Sequence, residues 1–392
     1  MVDIYISKIE VGKKIRSLAA SDKNICFIFG AGASYGYSHI SPYKPPVVAS
    51  LFDIFNPVVD EIISQEKHKS IRANREHHAN IIRDFYGNDL ESYLSALYKN
   101  NGNDNLFANL LVYLHDIFSL ASTHFEPEDN YYKELINFIY SLFREDRWSC
   151  LSFNYDTLLE KSYVETDRDS SGRTFNDFDS YAKLQPNILK IHGGINFYHN
   201  YRKLFEFEDI SRFPSRFTMF SEMMKDNNSI ERFLSVSSPF SNGIKPHVEE
   251  YLYDPSSGTN KNFSSYRGPL MLIPIHAEIE LGNLYFQKMI ELSKEKINDA
   301  DLVIAIGYNF GDKTFTDSLD KIELSGKELI LVDIKKVVSD PSNYIGYQRA
   351  KKIWGSGKVK IFNGDGFGEF IESLLTKTDE TKSSVTVTDF LP

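Results

Sequence analysis

Residues 25–36 read Ile-Cys-Phe-Ile-Phe-Gly-Ala-Gly-Ala-Ser-Tyr-Gly, and they restrict the fold more than any other stretch. The first five are apolar without alternation, the pattern of a strand buried on both faces. The run ends directly on Gly30. A strand that breaks into Gly-x-Gly enters a helix through a turn open to close approach, whose N–H groups suit phosphate oxygens. The spacing departs from G-x-G-x-x-G, because the third glycine, Gly36, comes one place late. The segment predicts a strand, a tight turn and a dinucleotide cradle on Gly30, Ala31, Gly32, Ala33 and Ser34. An ordinary strand-to-helix turn is the plainer reading of the same residues.

Further apolar runs follow at 148–153, 188–191, 270–274, 302–306, 329–332 and 359–362. Most are near-continuous, and helical stretches lie between several of them. That combination predicts an α/β fold with a doubly wound, mostly parallel, Rossmann-like sheet. More than a hundred residues separate the first two runs, far beyond one crossover helix. Leu106, Leu110, Leu114, Ile117 and Ala121 recur at helical spacing, as do Leu135, Phe138, Ile139 and Leu142. The expectation is one domain over 1–378, carrying a helical insertion at about 52–145. A second, irregular insertion spans about 200–266, where Asp254-Pro255-Ser256-Ser257-Gly258 signals a loop. Residues 379–392 read as a polar tail.

The chain has 392 residues, 42% of them hydrophobic, enough to bury a sizeable core. A formal charge of −10 argues against broad binding to a nucleic-acid backbone. The only two cysteines, Cys26 and Cys150, lie in apolar runs and read as buried thiols. No Cys-x-x-Cys pair offers a structural zinc site, and no metal is expected. The first residues do not read as a secretory signal, and no apolar run reaches a membrane span. Those two points predict a cytoplasmic protein without membrane contact.

Four more motifs sit at strand ends, where ligands bind in open α/β sheets. Asn154 and Asp156 follow the 148–153 run; Asn154 suits a ribose hydroxyl or a water, and Asp156 suits the same crevice or a helix cap. His192 ends the 188–191 run ahead of Gly193 and Gly194, and a histidine so placed is a candidate general base. Gly307 and Asn309 end the 302–306 run. Asp333 ends the 329–332 run, where an acidic residue can bind a ribose hydroxyl or close a turn.

Taken in order, Gly-Ala-Gly-Ala-Ser, Asn-Tyr-Asp, His-Gly and Gly-Tyr-Asn-Phe resemble the sirtuin superfamily. The similarity is strongest to bacterial sirtuin-like proteins of anti-phage defence, and Pro45-Pro46 before Leu51-Phe52 resembles that branch too. The resemblance spans roughly residues 20–375. It implies that Gly30 to Ser34 embrace the NAD diphosphate and that Asn154 and Asp156 lie beside the nicotinamide ribose. It implies that His192 is catalytic, that Gly307 and Asn309 lie near the adenosine half, and that Asp333 meets the adenine ribose. The four-cysteine zinc module of protein-deacylating sirtuins is missing, as is their Gly-Ile-Pro-Asp-Phe-Arg segment.

The resemblance therefore implies an NAD glycohydrolase that uses NAD as substrate and depletes it. Because uncontrolled depletion would kill the host, a gated homo-oligomer is expected. A HerA-type ATPase is the leading candidate partner, with no direct nucleic-acid binding. Two alternatives use the same site: a deacylase or ADP-ribosyltransferase, and a non-catalytic NAD-binding assembly module.

Overall fold

A computed structural model describes residues 4–36, 64, 69–87, 92–93, 96, 110, 113–119, 130–166, 181, 188–200, 234–236, 267–271, 284–319, and 322–376 apart from 323, 325, 335–337 and 356. The Pro45-Pro46 segment, most of the 200–266 stretch and the 379–392 tail lie outside the described residues.

The strands are β1 (Tyr5–Ile6), β2 (Ile25–Phe29), β3 (Trp148–Ser152), β4 (Ile188–Lys190), β5 (Gly193–Asn200), β6 (Leu234–Val236), β7 (Arg267–Met271), β8 (Leu302–Ile306), β9 (Glu328–Val332) and β10 (Val359–Phe362). Seven of them form one sheet in the order β1-β10-β9-β8-β2-β3-β4, with every pairing parallel. Helices α1 (Lys8–Ala20), α2 (Ala31–Tyr35), α3 (Lys69–Tyr86), α4 (Tyr131–Leu142), α5 (Leu158–Thr166), α6 (Leu284–Asp299), α7 (Lys313–Leu319), α8 (Ile345–Trp354) and α9 (Gly366–Leu375) complete the elements used below.

The continuous apolar runs have a direct structural cause. Successive side chains of a strand point to opposite faces. In β2, Cys26 and Ile28 join the core on one face, while Ile25, Phe27 and Phe29 join the core on the other. The first core includes Met289 of α6, Phe315 of α7 and Trp354 of α8. The second includes Val11 of α1, Leu135 of α4, Leu159 of α5 and Phe370 of α9. With helices on both faces, neither face of β2 or β8 can carry a polar residue, so alternation is lost. Both cysteines are fully buried as free thiols.

Chain order and sheet order together define a switch point. From β2 the chain builds outward through β3 and β4, then returns to the far side of β2 and builds outward through β8, β9 and β10. The crevice between the carboxyl ends of β2 and β8 is where such a sheet offers a ligand site.

One strand expectation is corrected. The sequence groups the apolar run at 270–274 with the parallel strands, but β7, which holds its described residues 270 and 271, pairs antiparallel with β5 in a separate three-stranded sheet, β6-β5-β7. An apolar run reports burial, not the partner strand, so it could not make that distinction. Within 52–145, α3, residues 113–119 and α4 are helical, and α4 packs its Leu135, Ile136 and Ile139 into the core beneath the main sheet. Among the described residues, no helix is long and apolar enough to cross a membrane.

Candidate active site

The turn after β2 is held by backbone geometry before any side chain acts. Gly30 N–H donates to the Ile306 carbonyl at 3.0 Å, and Gly32 N–H donates to the Gly307 carbonyl at 3.1 Å. A Cβ on Gly30 would stand 2.4 Å from the Gly307 oxygen, and one on Gly32 would stand 2.9 Å from the Gly307 Cα. Gly307 itself has φ +59°, and its Cβ would stand 2.2 Å from the Ala33 nitrogen. The three glycines thus allow two strand ends to touch backbone to backbone at the switch point. This refines the sequence reading, in which their bareness served only the ligand. Ala31 N–H has no acceptor among the described residues.

Side chains from three elements then converge behind the turn. Asn154 Nδ2 donates to the Gly30 carbonyl at 2.9 Å, to Ser34 Oγ at 2.9 Å and to the Tyr132 hydroxyl at 3.3 Å. Ser34 Oγ donates to Asp156 Oδ2 at 2.6 Å and lies 3.0 Å from the Tyr132 hydroxyl. Ser34 has one proton, and the short contact to a carboxylate takes it. Tyr132 must therefore donate to Ser34. Asp156 Oδ1 accepts the Leu158 N–H at 3.1 Å, an Asx turn leading into α5, so Asp156 serves both that turn and the network. All four side chains are buried. Burial, with the nearby Asp156 charge, pushes the Tyr132 phenol well above its ordinary range and keeps it a donor.

The Gly30 carbonyl can only accept, so it fixes the orientation of the Asn154 amide. Oδ1 points the other way, without a partner among the described residues and not sealed from solvent.

His192 follows β4. Its ring is held by the two neighbours of Asn154: Phe153 meets it edge to face at 5.0 Å, and Tyr155 lies at 6.3 Å. His192 Nε2 lies 2.7 Å from Asp312 Oδ2. The glycines after it serve the chain: Gly193 takes φ +66°, and a Cβ on Gly194 would stand 2.9 Å from the Tyr155 carbonyl oxygen.

Asp312 was missed by the sequence reading. It follows Asn309-Phe310-Gly311, and its Oδ1 accepts the Phe315 N–H at 2.9 Å, capping α7. An acidic residue just before a helix was the available signal. Burial pushes its carboxyl up, but the His192 contact and the Phe315 and Thr314 N–H groups outweigh that and hold it below the usual range. The chain reaches Asp312 through Phe310 at φ +54°, an uncommon conformation for a bulky residue, held by ring contacts to Tyr308 and Trp354 at 4.9 and 5.6 Å.

Asn309 is exposed beside this turn, and its carbonyl accepts from Arg349 Nη1 at 3.4 Å. Asp333 closes the far end: its carbonyl accepts the Gly366 N–H at 3.0 Å, and its carboxylate accepts from Ile334 N–H at 2.8 Å and the Tyr344 hydroxyl at 3.2 Å. Burial outweighs those bonds and raises its carboxyl above the usual value. A second missed group lies beneath. Lys190 Nζ is buried, pairs with Glu160 Oε1 at 3.2 Å and donates to the Asp156 carbonyl. Among the described residues, no three His, Cys, Asp or Glu side chains are grouped to hold a metal ion.

The strand order and the crevice make this a doubly wound α/β protein of Rossmann type. No protein-family model and no curated protein matches the chain. Among solved structures it is similar to a Sir2 homolog–NAD complex, at 11% identity and TM-score 0.37 over 92% of each chain. It is also similar to structures described as the basis for the mechanism and regulation of Sir2 enzymes, at 12% identity and TM-score 0.36 over 93% and 96%, and as the basis of sirtuin substrate affinity, at 11% and 0.40 over 93% and 97%. Identities this low leave each residue's role to be read from the chain's own geometry.

Proposed function

We propose that this protein is an NAD glycohydrolase, which cleaves the bond between nicotinamide and ribose to give nicotinamide and ADP-ribose. The observation that carries the reading is that the residues flanking Asn154 pack against the His192 ring at the carboxyl ends of β3 and β4, next to the Gly30 turn. Phe153 and Tyr155, on either side of Asn154, lie 5.0 and 6.3 Å from the His192 ring, and the Asn154 amide is pinned to Gly30 through Nδ2, which leaves Oδ1 without a partner among the described residues.

The chemistry suits so sparse a site. Nicotinamide leaves as a neutral base, because the electrons of the broken C–N bond cancel its pyridinium charge. No acid is needed for departure, and the ribose passes through an oxocarbenium-like state. A water then adds to the ribose carbon and loses a proton. Asn154 Oδ1 would accept from that water or a ribose hydroxyl, and His192 would take the proton. The Gly30–Ser34 turn, with Ala31 N–H free, would face the diphosphate; Gly307 and Asn309 would flank the adenosine half, and Asp333 would meet its ribose. Asp156 would act through Ser34.

The biological role is part of the same proposal: a gated effector of anti-phage defence that depletes NAD, active as a homo-oligomer and released by a trigger. A HerA-type ATPase is the first partner to test. The assay is turnover of NAD by the purified protein, alone and with the product of its neighbouring gene. Free ADP-ribose supports hydrolysis, whereas ADP-ribosylated protein or an acylated ADP-ribose points to transfer. Tight binding without turnover points to an assembly module. Full activity in Asn154→Ala and His192→Ala overturns the residue assignment.

A further inference from the structure

Asp312 uses its two oxygens for different tasks. Oδ1 takes the Phe315 N–H and so is held by the first turn of α7, while Oδ2 faces His192 Nε2 at 2.7 Å. Both side chains are largely buried, at 10% exposure for His192 and 17% for Asp312. The histidine ring has little freedom, because Phe153 stands edge-on to it and Tyr155 lies alongside. A carboxylate can only accept, so Nε2 must carry a proton. His192 Nδ1 has no partner among the described residues and is not sealed from solvent.

We infer that Asp312 is the positioning residue of His192: it holds the imidazole proton on Nε2 and leaves Nδ1 as the nitrogen that receives the proton of the attacking water. The inference rests on His192 being the base of the proposed NAD cleavage. A neutral imidazole has one donor and one acceptor nitrogen, and the hydrogen bond made by one decides the other. A base must also present its lone pair in a set direction to act on a held water. The helix cap supplies that direction, because it anchors the carboxylate that anchors the ring.

The decisive variant is Asp312→Asn. Asparagine also caps helices well, so α7 keeps its first turn through Oδ1. With Oδ1 committed to the Phe315 N–H, the amide Nδ2 faces His192. It is a donor, so Nε2 must become the acceptor and the ring proton must move to Nδ1. Nitrogen NMR on the full chain, labelled in histidine and assigned against His192→Gln, reads the tautomer directly. The expected result is a proton on Nε2 in the parent and on Nδ1 in Asp312→Asn. With it, turnover should fall about 100-fold or more, the lower end of what a positioned base supplies, while KM stays within about twofold. A parent proton on Nδ1, an unchanged tautomer in Asp312→Asn, or unchanged turnover in a variant whose tautomer has switched overturns the inference. If the parent turns over no NAD, the proposed function fails, and the NMR still decides whether Asp312 sets the ring.

Discussion

Asn154 Nδ2 donates to the Gly30 carbonyl across 2.9 Å, tying the end of β3 to the turn after β2 over 124 residues of sequence. The amide thereby does two things. It braces the turn, and it fixes its own oxygen on the side opposite the Gly30 carbonyl, where no described residue pairs with it. Asn154→Asp keeps the size but loses the donor and places a carboxylate against a carbonyl. We expect a loss of about 1–3 kcal/mol in urea unfolding, the range for a buried polar group left unsatisfied, together with loss of NAD turnover. A stable variant with full activity would show that the amide orientation does not matter.

The contact between the two strand ends makes Gly307 intolerant of any side chain. A Cβ there would overlap the Ala33 nitrogen and the Gly32 carbonyl carbon, at 2.2 and 2.4 Å, on top of an unfavourable φ of +59°. Gly307→Ala should cost about 3–4 kcal/mol, combining backbone strain with overpacking. Gly87 provides the control: its φ is similar, +57°, but nothing lies within 4 Å of the added Cβ. Gly87→Ala should cost only about 1 kcal/mol, the left-handed penalty by itself. Equal losses at the two sites would disprove the close-packing account.

Lys190 and Glu160 form a buried ion pair under the Asp156 carbonyl. Removing one partner strands the other charge without water. Lys190→Met should therefore destabilise by roughly 3–5 kcal/mol, and Lys190→Met with Glu160→Leu should regain most of it. Burial, with the nearby Asp156 charge, raises the Glu160 carboxyl above its usual range against the opposing pull of Lys190. Chemical unfolding of the two single variants and the double variant would measure the coupling.

The helical stretch around α3 carries a pH liability. His78 is fully buried, with Nδ1 at 2.7 Å from the Tyr93 hydroxyl. Burial, aided by the neighbouring His77 charge, lowers it from 6.5 to about 4. The folded state thus disfavours the proton that the unfolded chain binds. Its contribution is complete above 6.5 and is lost as pH falls toward 4. By linkage, acidification from pH 7 to pH 5 should cost about 2 kcal/mol through this group. Stability compared at those two values should fall less in His78→Gln than in the parent by that amount. Equal slopes would remove His78 from the account.

Some of this was open to reading along the chain. The runs that became β2, β8 and most of β9 were visible because helices cover both faces of the sheet there, which favours apolar residues at successive positions. Asn154 and His192 stood out as candidates because strand ends are where ligands bind in such a fold. The antiparallel place of β7 was not, since burial says nothing about pairing. Asp312 was hidden for a different reason: its cap role is local, but its contact with His192 spans 120 residues.

Residue order by itself determined β2, β3, β4, β8, β9 and β10, the doubly wound class and the turn at Gly30, because these follow from hydrophobic periodicity and local backbone freedom. Tertiary structure alone decided what the glycines touch, which way the Asn154 amide faces and which nitrogen of His192 meets Asp312. Hydrogen-bond direction depends on groups brought within about 3 Å of each other, and only the folded sheet brings these strand ends that close.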